Sequence, residues 1–169
     1  MTGIAISHYQ LKDAIGKGSM GVVFRAEDTR LGRVVALKLL SQELATDPVA
    51  SERFHREARA ASNLNHPNIC TIYGDGEENG RRYIVMELLE GPTLSKRIDG
   101  KPLDPLEILH IAIPLASALQ AAHDQGTIHR DIKSSNIFLT KLATGETIPK
   151  ITDFGLSKLA AASSAASTR

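Results

Sequence analysis

The residues from 129 to 136, HRDIKSSN, place several kinds of polar side chain within an otherwise apolar stretch of the chain. Asp131 is a carboxylate that could accept a proton from a hydroxyl group. Lys133 could offset negative charge on a group that is being transferred, and the amide oxygen of Asn136 could bind a cation. A polar turn is the simpler interpretation, but it does not explain why all three side-chain types occur together.

An acidic residue in the segment ITDFG, 151–155, is a second candidate for cation binding. Asp153 follows an apolar, strand-like run and precedes Phe-Gly, where carboxylate oxygens are suitable ligands for a hard divalent ion. A lone aspartate before a glycine is also typical of an ordinary turn. If Asp153 shares a cation with Asn136, the two motifs belong to one site.

The run GKGSMG at 16–21 could bring the backbone close to an anion. Glycine lets the chain approach phosphate oxygens, to which backbone amides can donate hydrogen bonds. An ordinary hairpin turn and a dinucleotide-binding loop are the alternatives. A dinucleotide-binding oxidoreductase is disfavoured, because its loop opens a helix whereas Val22-Val23-Phe24 predicts a strand.

Lys38 is a lone cation in the apolar, strand-like segment VALKLL, 35–40. It could be an edge lysine whose ammonium reaches water. If it is buried, it needs a partner, because an unpaired ammonium is costly in the interior. Glu57 is the best candidate, since it lies on the apolar face of a predicted helix, although other charges surround it and it could simply be solvated.

The elements that must position these residues are predicted from the hydrophobic pattern. Strand-like runs dominate up to about residue 89 and a helical pattern follows, which predicts an α+β fold in two lobes. The helix at 105–125 has Asp104 as its N-cap, Pro105 at its first position and Gly126 as its stop. The other predicted elements are strands at Tyr9–Ile15, Val22–Phe24, Val34–Leu37, Ile69–Tyr73 and Arg82–Leu88, a turn over Asp75–Gly80 and a helix at Pro48–Asn65.

The composition of the 169-residue chain excludes several classes of protein. The net charge of +1 and the 4% aromatic content argue against a nucleic-acid partner. Cys70 is the single cysteine, which excludes an internal disulfide and favours a reducing, cytoplasmic setting. The longest apolar run, 111–122, contains a proline and is short for a bilayer, so no membrane segment is expected in this chain.

Together these motifs resemble those of the protein kinase family and, within it, the eukaryotic-like serine/threonine kinases of bacteria. Five elements occur in the family's order: the Gly-rich loop at 16–23, the strand at 35–38, Glu57 on the next helix, the loop at 129–136 and Asp-Phe-Gly at 153–155. The resemblance implies a two-lobe kinase fold. It would have a five-stranded antiparallel N-lobe sheet with one helix, and an incomplete, mainly helical C-lobe.

The resemblance also implies roles for individual residues. Asp131 would orient and deprotonate the substrate hydroxyl, Lys133 would lie near the γ-phosphate of ATP, and Asn136 and Asp153 would bind Mg2+. The phosphates would be contacted by Lys38, which is paired with Glu57 and binds the α- and β-phosphates, and by the loop residues Gly16, Gly18, Ser19 and Gly21. The adenine would lie between Val23, Ala36 and Phe138, with Met86 at the back of the adenine pocket. The edge of the adenine would bond to the Glu87 carbonyl and the Leu89 amide.

The resemblance implies a protein substrate that carries a Ser or Thr hydroxyl. Two functional classes stay open: a serine/threonine kinase, and a catalytically incompetent module that holds nucleotide or docks on a partner kinase. The motif pattern stops after Asp-Phe-Gly, so we expect an exposed apolar face on the helix at 105–125. The predicted organisation is an N-terminal tail at 1–8, an N-lobe at 9–89, a partial C-lobe at 90–158 and a disordered start of an activation segment at 159–169.

Overall fold

The computed structural model describes residues 4–18, 21–41, 48–142 and 144–154, and the chain divides into two compact units. The first unit comprises the described residues up to Ser62 together with Ile72–Leu88. The second comprises Asn63–Thr71 and the described residues from Leu89 to 154. The expected disordered segment at 159–169 lies outside the described residues.

The first unit contains an antiparallel six-stranded sheet in the order β1-β2-β3-β4-β6-β5. One face is apolar and carries the core of the unit, which includes Leu11, Ala26, Val35, Leu37 and Val85. Around Leu11 on β2 and Ala26 on β3 the neighbouring residues are less buried, whereas on β4 and β6 the intervening residues, such as Ala36 and Ile84, are buried as well. The strands are β1 (Ala5–Ile6), β2 (Tyr9–Gly18), β3 (Gly21–Asp28), β4 (Arg33–Leu40), β5 (Ile72–Glu78) and β6 (Arg81–Met86).

The sheet differs from the predicted five strands at its edge. The segment expected as an N-terminal tail contributes β1, in which Ile6 pairs with Tyr9 of β2. A strand of two residues is too short to produce a recognisable alternation, which is why the sequence pattern did not reveal it.

The position of β5 is the second correction. The predicted strand at Ile69–Tyr73 lies largely ahead of the observed one, and most of the predicted turn at 75–80 is strand. The actual turn is the dipeptide Asn79-Gly80, in which both residues have positive φ, 53° and 71°. This geometry is that of a two-residue hairpin turn favoured by Asn-Gly.

Helix α1 (Pro48–Ser62) belongs to the first unit and packs on β5. Ala58 and Ala61 on this helix are buried, as is Leu64 shortly after its end. Their spacing of three residues places them on one side of the helix and its continuation. The prediction of a helix here is confirmed, and its last residue lies three positions earlier than expected.

The described part of the second unit combines two α-helices and a 3-10 turn, Ser134–Asn136, with a hairpin. Helix α2 (Leu94–Ile98) was not predicted, whereas α3 (Pro105–Asp124) was. The Asp104 carboxylate accepts a hydrogen bond from Leu106 N–H at 2.8 Å, and this confirms the predicted N-cap. Strands β7 (Ile137–Lys141) and β8 (Thr147–Ile151) form the hairpin.

The segment from Asn63 to Thr71 is attached to β8 of the second unit. Cys70 N–H donates to the Ile151 carbonyl at 2.8 Å, and Ile151 N–H donates to the Asn68 carbonyl at 2.8 Å. The Asn68 amide also donates to the Pro149 carbonyl at 2.7 Å. These bonds account for the assignment of the segment to the second unit, although it follows α1 in sequence.

Helix α3 leaves much of its apolar surface exposed, as expected from the sequence. Leu106, Ile108, Leu109 and Ile113 are all exposed. By length and composition, this 20-residue helix would suffice to cross a bilayer. The apolar length estimated from residues 111–122 alone was therefore too short. Length and composition do not distinguish a membrane span from the core helix of a soluble protein, which is mostly buried.

Candidate functional site

The Gly-rich loop connects two paired strands. Gly18 at the end of β2 pairs with Gly21 at the start of β3, and Ser19 between them lies outside the described residues. Because a strand follows the loop, the dinucleotide-binding alternative, which requires a helix, is wrong. The predicted strand-turn-strand arrangement is confirmed.

The three glycines of this loop differ in what the fold demands of them. Gly21 has φ +138°, and a Cβ there would lie 2.0 Å from the Leu39 carbonyl oxygen, so no side chain fits. Among the described residues, a Cβ on Gly18 would meet no atom within 4 Å, and one on Gly16 would come no closer than 3.8 Å to Val23. The fold therefore explains glycine at position 21, whereas the described neighbours of positions 16 and 18 leave room for a Cβ.

The predicted binding residues of the first unit share one face of its sheet. Lys38 on β4 pairs with Val23 on β3, and Ala36 on β4 pairs with Met86 on β6. Directly paired residues point to the same side, as do residues two apart in a strand, so all four lie on one face. It is opposite the apolar core face, whose members on β4 are the intervening residues Val35 and Leu37.

Lys38 is buried, with 7% of its surface exposed, so the edge-lysine interpretation is wrong. Glu57 is half-buried on α1 in the same unit. An ammonium in such an environment requires anionic or hydrogen-bonding partners. A pairing of Lys38 with Glu57 stays a prediction.

The loop at 129–136 is organised around a histidine whose role the sequence did not indicate. His129 is buried, and its Nε2–H donates to the Thr152 carbonyl at 2.8 Å. Its Nδ1 accepts a hydrogen bond from Asp131 N–H at 3.2 Å, and its ring meets Phe154 edge-on at 4.6 Å. Burial lowers the pKa of His129, so the ring is neutral and joins this loop to the Asp-Phe-Gly segment.

Hydrogen bonds join the three polar side chains of this loop, Asp131, Lys133 and Asn136. Lys133 Nζ lies 2.8 Å from Asp131 Oδ2, and the Asn136 amide nitrogen donates to the Asp131 carbonyl at 2.9 Å and to its Oδ2 at 3.2 Å. The hydrogen bond from Lys133 is the main reason that the pKa of Asp131 is lowered. Asp131 is therefore a carboxylate anion held in place by two donors.

Asp153 lies next to this set in the second unit. Thr152 N–H donates to the Asn136 carbonyl at 2.9 Å, and this bond holds the backbone just before Asp153 against Asn136. Asp153 itself has φ +61°, an uncommon value for a residue other than glycine. The loop and the Asp-Phe-Gly segment are thus brought to the same end of the β7–β8 hairpin.

The oxygen atoms at this end suit a hard divalent cation. Asn136 uses its amide nitrogen to donate to Asp131, which leaves its oxygen as the ligand atom, and Asp153 supplies a carboxylate. Within the described ranges, no group of three or more His, Cys, Asp or Glu could hold a metal ion by itself. The two oxygen ligands of Asn136 and Asp153 fit Mg2+, which commonly takes one or two protein ligands and completes its shell with water and phosphate oxygens.

The remaining predicted adenine contacts are distributed over both units. Glu87 follows β6 in the first unit, while Leu89 and Phe138 belong to the second. All three residues are half-buried. Their proposed contacts with adenine stay predictions.

Comparisons with known proteins agree with this arrangement. Residues 9–169 match the family model of the protein kinase domain. Serine/threonine-protein kinase PrkC of Bacillus subtilis is 45% identical over 149 residues, covering 88% of this chain and 22% of the relative. The probable serine/threonine-protein kinase PknB of Corynebacterium glutamicum is 42% identical over 175 residues, covering 100% of this chain and 26% of the relative.

The structural comparison gives the same family. The crystal structure of the PknI kinase domain from Mycobacterium tuberculosis superposes with a TM-score of 0.81 at 31% sequence identity. The match covers 92% of this chain and 63% of that one. The chain thus spans about a quarter of the curated relatives described above and corresponds to the N-terminal part of the kinase domain.

Proposed function

Since this chain belongs to the protein kinase family, we propose that it carries the ATP-handling part of a serine/threonine kinase, which transfers the γ-phosphate of ATP to a protein hydroxyl. The observation that carries the proposal is the hydrogen-bonded set Asp131, Lys133 and Asn136, held beside Asp153. A carboxylate, an ammonium and cation ligands at one place are the groups that phosphoryl transfer requires.

The residues of the second unit act on the hydroxyl and on the charge of the transferred group. Asp131 is ionised and accepts a hydrogen bond from the substrate hydroxyl, which orients the attacking oxygen. Lys133, which donates to Asp131 in this structure, is the nearby cation that can offset the charge on the phosphoryl oxygens. Asn136 and Asp153 would hold Mg2+, which neutralises phosphate charge when bound.

The residues of the first unit bind the nucleotide. Lys38 places a buried ammonium on the same face as Val23 and Ala36, so phosphate and adenine contacts arise from one surface. Gly16 and Gly18 keep the loop backbone free of side chains where phosphate oxygens approach. The remaining contacts to adenine are Met86, Glu87, Leu89 and Phe138.

The proposal includes a cytoplasmic location, where ATP is available and the buried thiol of Cys70 stays reduced. A protein with an accessible Ser or Thr is the substrate class.

Mutation of three residues in the full-length protein tests the proposed function. We expect Lys38→Met, Asp131→Asn and Asp153→Asn each to lower kcat by at least roughly 10²–10³, because each removes a charge that the transition state uses. Transfer of radiolabelled phosphate to a generic basic protein is the assay, and thermal unfolding checks that the variants are folded. Glu90→Gln, an exposed acidic residue outside the site, serves as the control.

Calorimetry with ATP, in the presence and absence of Mg2+, separates binding from transfer. A folded parent protein that binds Mg-ATP but transfers no phosphate would favour the module without phosphotransfer. Transfer by Lys38→Met at the parent rate would contradict the assignment of this residue.

A further inference from the structure

A single row of paired residues crosses the sheet of the first unit at Lys38. Val23 on β3 pairs with Lys38 on β4, Lys38 pairs with Ile84 on β6, and Ile84 pairs with Asp75 on the edge strand β5. Directly paired side chains point to the same face, so Asp75 lies on the face that carries Lys38. Two strand spacings of about 4.8 Å separate these two positions, or about 10 Å.

Helix α1 is tied to the outer end of this row by a contact between a histidine and a carboxylate, which is an ion pair when the histidine is protonated. His55 Nδ1 lies 2.5 Å from Asp75 Oδ2, and the two side chains are 51% and 27% exposed. Helix α1 also packs on β5, so the ion pair reinforces an existing contact. Through Asp75, the helix is attached to the face of the sheet that Lys38 shares.

The angular positions on α1 relate this ion pair to Glu57. At about 100° per residue, His55 lies on one flank of the buried stripe formed by Ala58 and Ala61, and Glu57 lies on the other flank. The His55 flank meets the edge strand β5. The opposite flank, with Glu57, is therefore directed along the row toward the strands nearer the middle of the sheet, one of which carries Lys38.

The contact between His55 and Asp75 adds a directional restraint to the packing of α1. Among the side chains of α1 that the structure describes, Ala58 and Ala61 are buried, and alanine contributes little apolar surface to such a contact. His55 fixes one flank of the helix to a position on β5, and this restraint also sets the direction of the other flank.

We propose that His55 and Asp75 are positioning residues that orient α1 so that Glu57 faces Lys38. The inference rests on the proposed function, since its consequence is a correctly placed Lys38 ammonium during phosphoryl transfer. A partly exposed ion pair shifts an equilibrium between two helix orientations by about 1.5- to fivefold. Its removal therefore lowers the catalytic rate by at most about fivefold and does not abolish it.

The test is a set of variants in the full-length protein, assayed for phosphate transfer. We expect His55→Ala and Asp75→Asn each to lower kcat by about two- to fivefold, and the double variant to show no further loss. His55→Arg keeps an N–H donor opposite Asp75 and retains most of the parent rate. Arg56→Ala removes a neighbouring exposed cation of α1 and serves as the matched control, with the parent rate expected.

A second cycle distinguishes positioning from general stability. In a Glu57→Gln background, His55→Ala should cause no additional loss of kcat, because the orientation that it sets no longer matters. The KM for the protein substrate should stay at its parent value, and the midpoint of thermal unfolding should fall by no more than about 4 °C. A purely structural ion pair would lower kcat by the same factor in both backgrounds.

The outcomes separate this inference from the proposed function. A parent protein that is folded but transfers no phosphate overturns both. A parent that is active and depends on Lys38, with His55→Ala and Asp75→Asn at the parent rate, overturns only the positioning role. An equal loss in Arg56→Ala and His55→Ala, or additive losses in the double variant, overturns it as well.

Discussion

The contrast between Gly21 and Gly18 gives a prediction whose size follows from the structure. Alanine at position 21 would have to adopt φ +138° with its Cβ 2.0 Å from the Leu39 carbonyl oxygen. The strained backbone and the forced movement of β4 together cost roughly 2–6 kcal/mol. Alanine at position 18 meets no atom of the described residues within 4 Å, so its effect on stability should stay within about 1 kcal/mol.

Thermal unfolding of the full-length protein by calorimetry measures this difference, with the kinase transition identified by its shift on addition of Mg-ATP. The affinity for ATP should show the complementary contrast, because Gly18→Ala is expected to change binding and not stability. Gly18→Ala keeps the stability but weakens ATP binding roughly 5- to 100-fold, because its methyl group occupies space that a phosphate needs. The reasoning is refuted if Gly21→Ala is as stable as the parent, or if Gly18→Ala binds ATP as the parent does.

Two further predictions concern the ionisable groups of the second unit. Because burial lowers the pKa of His129, unfolding takes up a proton as the pH falls below about 6.5, and the parent loses stability from that pH downward. The variant His129→Gln should lose less stability over the same interval. Equal losses of the two proteins in thermal scans from about pH 7.5 to 5.5 would contradict this prediction. Because Lys133 is the main cause of the lowered pKa of Asp131, Lys133→Ala should move the acid limb of the pH–rate profile to higher pH, and an unmoved limb would show that the two residues are not coupled.

Much of the fold follows from local patterns in the sequence. The cap formed by Asp104 and Pro105 located the start of α3 correctly, since these residue types satisfy a helix N-terminus. The strand after Gly21 was evident from its β-branched residues. The Asn79-Gly80 dipeptide is an equally strong signal for a two-residue turn. The prediction instead placed the turn over all of 75–80, and the strand predicted before it therefore began too early in the chain.

The candidate site was predicted as a set of residues, whereas its contacts required the structure. Nothing in HRDIKSSN indicates that His129 is buried and bonded to Thr152, because a histidine in a polar segment is usually exposed. The alignment of Lys38 with Asp75 depends on strand register across three strands, which a single sequence does not specify. These long-range relationships arise from the tertiary fold and leave no local pattern.

A structure of the full-length protein with Mg2+ and a non-hydrolysable ATP analogue tests the central claim most directly. The account predicts a metal ion about 2.1 Å from the Asn136 side-chain oxygen and from the Asp153 carboxylate. It also predicts the Lys38 ammonium within hydrogen-bond distance of the α- or β-phosphate and the Asp131 carboxylate facing the γ-phosphate. A nucleotide bound without contact to Lys38, Asp131 or Asp153 would contradict the account.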